Sequence, residues 1–255
     1  MIIDAHSHVH EPLADHIALL DEAGVDKTVL FMTRPHPERA GTLTELRAEM
    51  DLLTQALAGG GLGREAATRE LDAALAAYPD RFIGFASVPL DAPDAEAIVE
   101  REVVGRGLRG IGELTPPPDQ AGLIEPVLRA ATDHGGLPVV VHGAAPTTAA
   151  DLRTLTDLAR RYPRVPLVVS QLGGAHWMDA IELVRDTPNM YLELSTASII
   201  FAVRLAIAEI PERTLFGSDA PYGDPVIART TVERATGSPR VRELVLGATA
   251  QELLS

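Results

Sequence analysis

Residues 137–171 read LPVVVHGAAPTTAADLRTLTDLARRYPRVPLVVSQ. Two short β-branched runs, Pro138–Val141 and Pro166–Ser170, flank a helix-like segment, the pattern of a βαβ unit. Both runs are almost continuously apolar, as strands covered on both faces must be. The same alternation continues outward. Before this stretch lie Ile2–Ala5, Lys27–Met32, Phe82–Val88 and Gly110–Leu114; after it lie Met190–Leu194 and Thr214–Gly217. The intervening helices are clearest at Arg64–Tyr78, where Ala67, Leu71, Ala74, Leu75 and Tyr78 share one face. Eight strand runs in 255 residues predict a parallel (β/α)8 TIM barrel, with residues 1–255 as a single domain.

One stretch breaks the rhythm. Arg34–Gly63 holds a Pro-rich loop, a helical segment from Leu43 to Leu57, and Gly59-Gly60-Gly61. It reads either as a lid over the barrel mouth or as a long connection with an extra helix. Glycine runs usually mark turns, which favours the connection.

The chain is 46% hydrophobic, enough for a large core, and carries 22 basic against 36 acidic residues for a net charge of −14. That field repels polyanions, so nucleic acid is not the expected partner. The absence of cysteine excludes disulfides, thiolate nucleophiles and every sulfur-ligated zinc site. The N-terminal MIIDAHSHVHEP has neither a basic start nor an apolar run before a cleavage site. No stretch approaches the roughly 18 apolar residues of a membrane span. A cytoplasmic protein acting on a small molecule is expected, with no membrane partner; a homo-oligomer is compatible with the sequence.

Barrel sites form at the C-terminal ends of the strands. The first strand run leads into His6-Ser7-His8, whose alternation puts both imidazoles on one face. The fourth carries Glu113 just before its end at Leu114, the fifth is followed directly by His142, and the eighth runs into Ser218-Asp219. A His-X-His pair alone carries little information. Three histidines and a carboxylate from different strands at one end make a site for a divalent ion such as zinc, with manganese as an alternative.

The segments IIDAHSHVH, GLRGIGEL, LPVVVHGAAP, LVVSQLGGAHW, NMYLELS and LFGSDAPYGDP, in this order, resemble the amidohydrolase superfamily. More closely, they resemble its amidohydrolase-related group, which includes TatD-type hydrolases and several decarboxylases. The resemblance implies His6, His8 and His142 as metal ligands, and Asp219 as a ligand that also takes a proton from the attacking water. It implies a further ligand role for Glu113, since a glutamate in a similar Gly-Glu segment bridges two metals in TatD-type enzymes. Other members bridge with a carboxylated lysine, but Lys27, the only lysine, begins the second strand away from the mouth.

One position departs from the pattern. Where members usually carry a histidine after the sixth strand, this chain has Gln171, followed five residues later by His176. A neutral amide is a poor zinc ligand, so one ion rather than two is expected, and Gln171 and His176 become candidates for substrate contact. His10, Arg34 and His36 are candidates for the same role. Ser218 is placed to orient Asp219, and Arg109 to make a structural ion pair. The activity expected is metal-dependent hydrolysis of an amide, lactone or related bond. The alternatives are non-oxidative decarboxylation of an aromatic or dienoic acid, and an inactive barrel that only binds a ligand.

Overall fold

The protein is described by a computed structural model covering residues 1–33, 35–57 and 63–255, with backbone alone for 56 and 57. Arg34 and Gly59-Gly60-Gly61 lie outside the described residues. Eight strands form one parallel sheet in chain order: β1 (Ile3–His8), β2 (Lys27–Phe31), β3 (Phe82–Ala86), β4 (Gly110–Leu114), β5 (Val139–Val141), β6 (Leu167–Val169), β7 (Met190–Glu193) and β8 (Thr214–Leu215). The sheet closes on itself as a (β/α)8 barrel. Ala5 N–H donates to the Phe216 carbonyl at 2.8 Å, His8 N–H to the Ala220 carbonyl at 2.7 Å, and Ser7 bridges Ala220.

Strand alternation divides the core into two shells. Val29, Phe31, Phe85, Val140, Val168 and Leu215 fill the barrel interior, and Leu253 and Leu254 pack against its floor. The alternate residues, among them Leu30, Ile111, Val139, Val141, Val169 and Leu192, face the surrounding helices. This is why the runs are apolar without a break: both faces of each strand are buried. Helix Arg64–Ala77 buries Ala67, Leu71 and Ala74 and rests Leu75 and Tyr78 on the same shell, as the sequence periodicity predicts. Helix Leu43–Leu57 forms within the irregular connection. Among the described residues, no helix is long and apolar enough to cross a membrane.

Candidate metal centre

Two strands slip register at the positions that carry chemistry. Along β1, Asp4 pairs Thr28 and Ser7 pairs Leu30, so Ala5 and His6 together stand opposite Val29. This is a β-bulge. Ala5 lies in the barrel interior; strict alternation would turn His6 outward. The bulge returns it to the interior, where its ring meets Phe31 edge-on at 4.8 Å, and His8 follows on the same side against Phe31 at 5.8 Å. Along β4, Ile111 pairs Val139 and Leu114 pairs Val141, leaving Gly112 and Glu113 opposite Val140 alone. The second bulge aims Glu113 at the histidines.

The result is a ring of facing donors. His6 Nε2 lies 3.8 Å from Glu113 Oε2 and 3.5 Å from Asp219 Oδ1; His8 Nε2 lies 4.0 Å and 3.2 Å from the same two oxygens. Donors about 2.0–2.2 Å from a tetrahedral ion stand roughly 3.3–3.6 Å apart, close to this spacing. His6, His8 and Glu113 form a set of three donor atoms all within 4.8 Å of one another. Two of the atoms in the ring, His6 Nε2 and Asp219 Oδ1, are buried and make no hydrogen bond. Unpartnered buried polar atoms are costly, and here they point at each other across a space ringed by nitrogen and oxygen. The residues fit a divalent cation.

Each imidazole is held by its other nitrogen. His6 Nδ1 is 3.1 Å from Glu193 Oε2, and His8 Nδ1 is 3.4 Å from the Met32 carbonyl. An N–H donated at Nδ1 leaves the lone pair on Nε2, the tautomer a ligand needs. Glu193 is fully buried and also accepts from Ser195 Oγ at 2.7 Å and Gln171 N–H at 3.2 Å. It has room because residue 217 is glycine; a Cβ there would overlap Glu193 Oε1.

The electrostatics are those of an acidic cage around one ring. Burial presses the His6 pKa down, but Glu113, Asp219 and Glu193 outweigh it and raise it to about 10. Burial likewise pushes the Glu113 and Asp219 carboxyls up, yet the His6 ring beside them holds both below the usual carboxylate range. Three carboxylates crowd one imidazole, an excess of negative charge that a bound cation would offset. Asp219 also sits in left-handed backbone, φ 60°, a conformation that aspartate tolerates better than most residues.

The remaining candidates divide. His142 reaches the mouth from β5, with Nδ1 3.2 Å from Glu113 Oε1 and Nε2 3.0 Å from the Ala145 carbonyl; it braces Glu113 and lies outside the set of three. Ser170 donates to the same Glu113 oxygen at 2.6 Å. Gln171 is buried, its Nε2 donating to Asp219 Oδ2 at 3.1 Å. His176 is half-buried at the end of the turn Gln171–His176, just before helix Trp177–Arg185. His10 packs its ring on His16 at 5.3 Å, and His16 Nε2 meets Ser7 Oγ at 3.0 Å on the outward side of β1. His36 is buried with its two nitrogens against Glu38 and Glu70, at 3.0 and 3.2 Å. Arg34 lies outside the described residues.

Two sequence expectations are corrected. Ser218 Oγ donates to Asp4 Oδ2 at 2.5 Å rather than to Asp219, and Arg109 donates to the Leu254 carbonyl at 2.6 Å instead of pairing with an acid. Asp4 and Glu193 are the residues the sequence reading missed. Asp4 is fully buried, and burial raises its carboxyl to about 7 against hydrogen bonds from the Ser218 hydroxyl and from the backbone N–H groups of His6 and Ser218. It ties β1 to the corner that presents Asp219. The signal for both was present: a carboxylate inside an apolar strand run.

The barrel resembles several solved structures at low identity. 5-Carboxyvanillate decarboxylase LigW from Sphingomonas paucimobilis superposes with a TM-score of 0.69 at 18% identity, covering 99% of this chain and 98% of that one. A dihydroxybenzoic acid decarboxylase from a Polaromonas species, with bound manganese and an inhibitor, superposes at 0.65 and 17%, covering 99% and 96%. A probable 2-pyrone-4,6-dicarboxylic acid hydrolase from Acinetobacter baumannii, with citric acid bound, does so at 0.64 and 16%, covering 99% and 98%. No curated protein matches the sequence. At such identities these likenesses speak for the fold alone. The amidohydrolase family model, however, matches residues 3–255, from the start of β1 to the last residue, and so takes in every donor of the ring. The chain belongs to the amidohydrolase family.

Proposed function

We propose that this protein is a metal-dependent hydrolase that directs water onto an amide, lactone or related bond of a small molecule. The observation that carries the reading is the pair of unpartnered buried atoms, His6 Nε2 and Asp219 Oδ1, facing each other at 3.5 Å. His6, His8, Glu113 and Asp219 would hold the ion, with His142 bracing Glu113. Imidazoles with carboxylates suit zinc first and manganese second. A divalent cation bound there supplies a lowered pKa for water and a polarised carbonyl.

The chain's own residues supply the rest. Glu193 and the Met32 carbonyl orient the His6 and His8 rings. Asp219, kept ionised beside His6, accepts the proton of the attacking water at Oδ1 and returns it to the leaving group. No cysteine is available for a covalent route. The net charge of −14 favours a small molecule over nucleic acid.

A second reading, non-oxidative decarboxylation of an aromatic or dienoic acid, draws on the two structural neighbours described as decarboxylases. The two diverge in product. Elemental analysis of metal-replete protein, then a panel of lactones, amides and aromatic acids in ¹⁸O-water, separates them. Label in the product supports hydrolysis. Carbon dioxide release with an unlabelled organic product replaces it with decarboxylation, and no turnover across the panel favours a ligand-binding barrel.

A further inference from the structure

We propose that Gln171 is a positioning residue that fixes Asp219 for its work at the metal. The inference rests on the reading of Asp219 as a metal-facing carboxylate. Gln171 leaves β6 through a sharp turn, with left-handed φ values at Gln171 (53°), Leu172 (54°), Gly173 (75°) and Gly174 (55°). Four such residues in succession fold the chain back on itself and carry the Gln171 side chain into the barrel mouth, where it is buried.

Its polar groups then meet three neighbouring segments. The backbone N–H donates to Glu193 Oε2 on β7 at 3.2 Å. Ala144 N–H, after β5, donates to Oε1 at 3.1 Å. That contact fixes which end of the amide is oxygen, because a flipped amide would set two donors against each other. With the oxygen committed to Ala144, the NH2 end must face Asp219, and it donates to Oδ2 at 3.1 Å. The two oxygens of Asp219 are thereby made unequal. Oδ2 is capped by a neutral donor; Oδ1 is left bare toward His6 Nε2 and His8 Nε2.

The residue type matters. A carboxylate at 171 would set a second anion against Oδ2, and an apolar side chain would leave Oδ2 buried without a donor. The amide steers the carboxylate with no titratable proton of its own. Both ends of its amide are engaged within the protein, which gives Gln171 a positioning role beside the substrate contact expected of it.

The test uses Co²⁺ as the probe, since its visible spectrum reports ligand geometry without any substrate. Chelator competition on the same samples gives Co²⁺ affinity. Gln171→Met keeps the volume and removes the donor; Gln171→Glu keeps the acceptor for Ala144 N–H and loses the donor to Asp219. Both should shift the Co²⁺ spectrum and change affinity about 10–100-fold, the scale of one hydrogen bond to a charged group. Gln171→Asn, which keeps an amide N–H donor on a shorter side chain and adds no imidazole ligand, should return the spectrum part of the way toward wild type. A residue that only packs would give no such rescue. Wild-type spectra and affinity in folded Gln171→Met and Gln171→Glu overturn the inference. Asp219→Asn serves as the reference. If it shifts the spectrum while the Gln171 variants do not, only the role of Gln171 fails. If it too leaves the spectrum unchanged, the reading of Asp219 fails and takes the inference with it.

Discussion

His6 Nδ1 lies 3.1 Å from Glu193 Oε2, a fully buried carboxylate that reaches the ring from β7, 187 residues along the chain. The contact decides which nitrogen of His6 carries the proton, and so whether Nε2 can bind a cation. Glu193→Gln keeps the size but can turn its NH2 toward the ring, favouring the wrong tautomer. Such supporting contacts typically contribute 10–100-fold to metal affinity. We expect weakening in that range by chelator competition, with the fold retained by circular dichroism. Unchanged affinity would show that His6 is oriented by something else.

Asp219→Asn probes the proton acceptor. Asparagine occupies left-handed backbone as readily as aspartate, so the corner after β8 should survive with φ near 60°. The amide accepts no proton from water. Turnover should fall by about 10²–10⁴-fold while the melting temperature changes little. Retention of wild-type rates on an authentic substrate would remove Asp219 from the chemistry.

The barrel was legible because its signals are local: eight apolar runs, each covered on both faces, spaced by amphipathic helices. The site was legible only in its residue types. Nothing in IIDAHSHVH announces that a bulge sets Ala5 and His6 together against Val29, or that without it His6 would face the helices. The partner of Gln171 depends on four successive left-handed residues, of which only two are glycine. Asp219 looked like a neighbour for Ser218, but the hydroxyl turns to Asp4, whose carboxyl no other hydroxyl reaches among the described contacts. Register slips and turn handedness set the site, and both are settled by tertiary packing.

The connection after β2 carries its own pH dependence. His36 is raised by its hydrogen bond with Glu38, against burial and the Arg39 charge, with a further contribution from Glu70; Glu49 accepts its backbone N–H at 2.8 Å. Burial pushes the Glu38 carboxyl up, but His36 and the Glu11 N–H hold it below its ordinary 4.5. A raised histidine contributes stability fully below its unfolded value of 6.5 and loses it as pH climbs through the folded value. A depressed glutamate contributes above 4.5 and loses it as pH falls. The pair therefore stabilises most between those limits. The melting-temperature difference between wild type and His36→Gln should peak near pH 5–6 and shrink above neutrality. A difference constant from pH 5 to 9 would contradict this.

Removal of the metal should be visible in stability as well as activity. Without a cation, Glu113, Asp219 and Glu193 crowd His6 and two buried atoms go unpartnered. A ligand at 100 times its Kd adds about 2.7 kcal/mol to a fold that it binds selectively. Chelation should lower the melting temperature by several degrees, and zinc or manganese should restore it. Identical melting curves for chelated and metal-loaded protein, with no metal found by elemental analysis, would remove the centre altogether.

Gly217→Ala tests the packing that gives Glu193 its place. Residue 217 follows β8, and a Cβ built on it would overlap Glu193 Oε1 and stand 3.0 Å from His6 Cβ. The obstacle is not a flexible end that can swing aside. Glu193 Oε2 is held by Ser195 Oγ, Gln171 N–H and His6 Nδ1, and Oε1 accepts the Ser195 backbone N–H. The added methyl must push the carboxylate out of reach of the ring or move β8 away from β1. Overpacking of this kind typically costs about 1–3 kcal/mol, and here displacement of Glu193 should also weaken metal binding. Gly122→Ala is the control, because a Cβ there meets nothing within 4 Å. We expect a lower melting temperature and weaker metal affinity for Gly217→Ala, with neither change in Gly122→Ala. If Gly217→Ala loses stability but binds metal as wild type does, β8 has yielded rather than Glu193. Wild-type behaviour in both measurements would mean that the close approach of Gly217, Glu193 and His6 does not shape the centre.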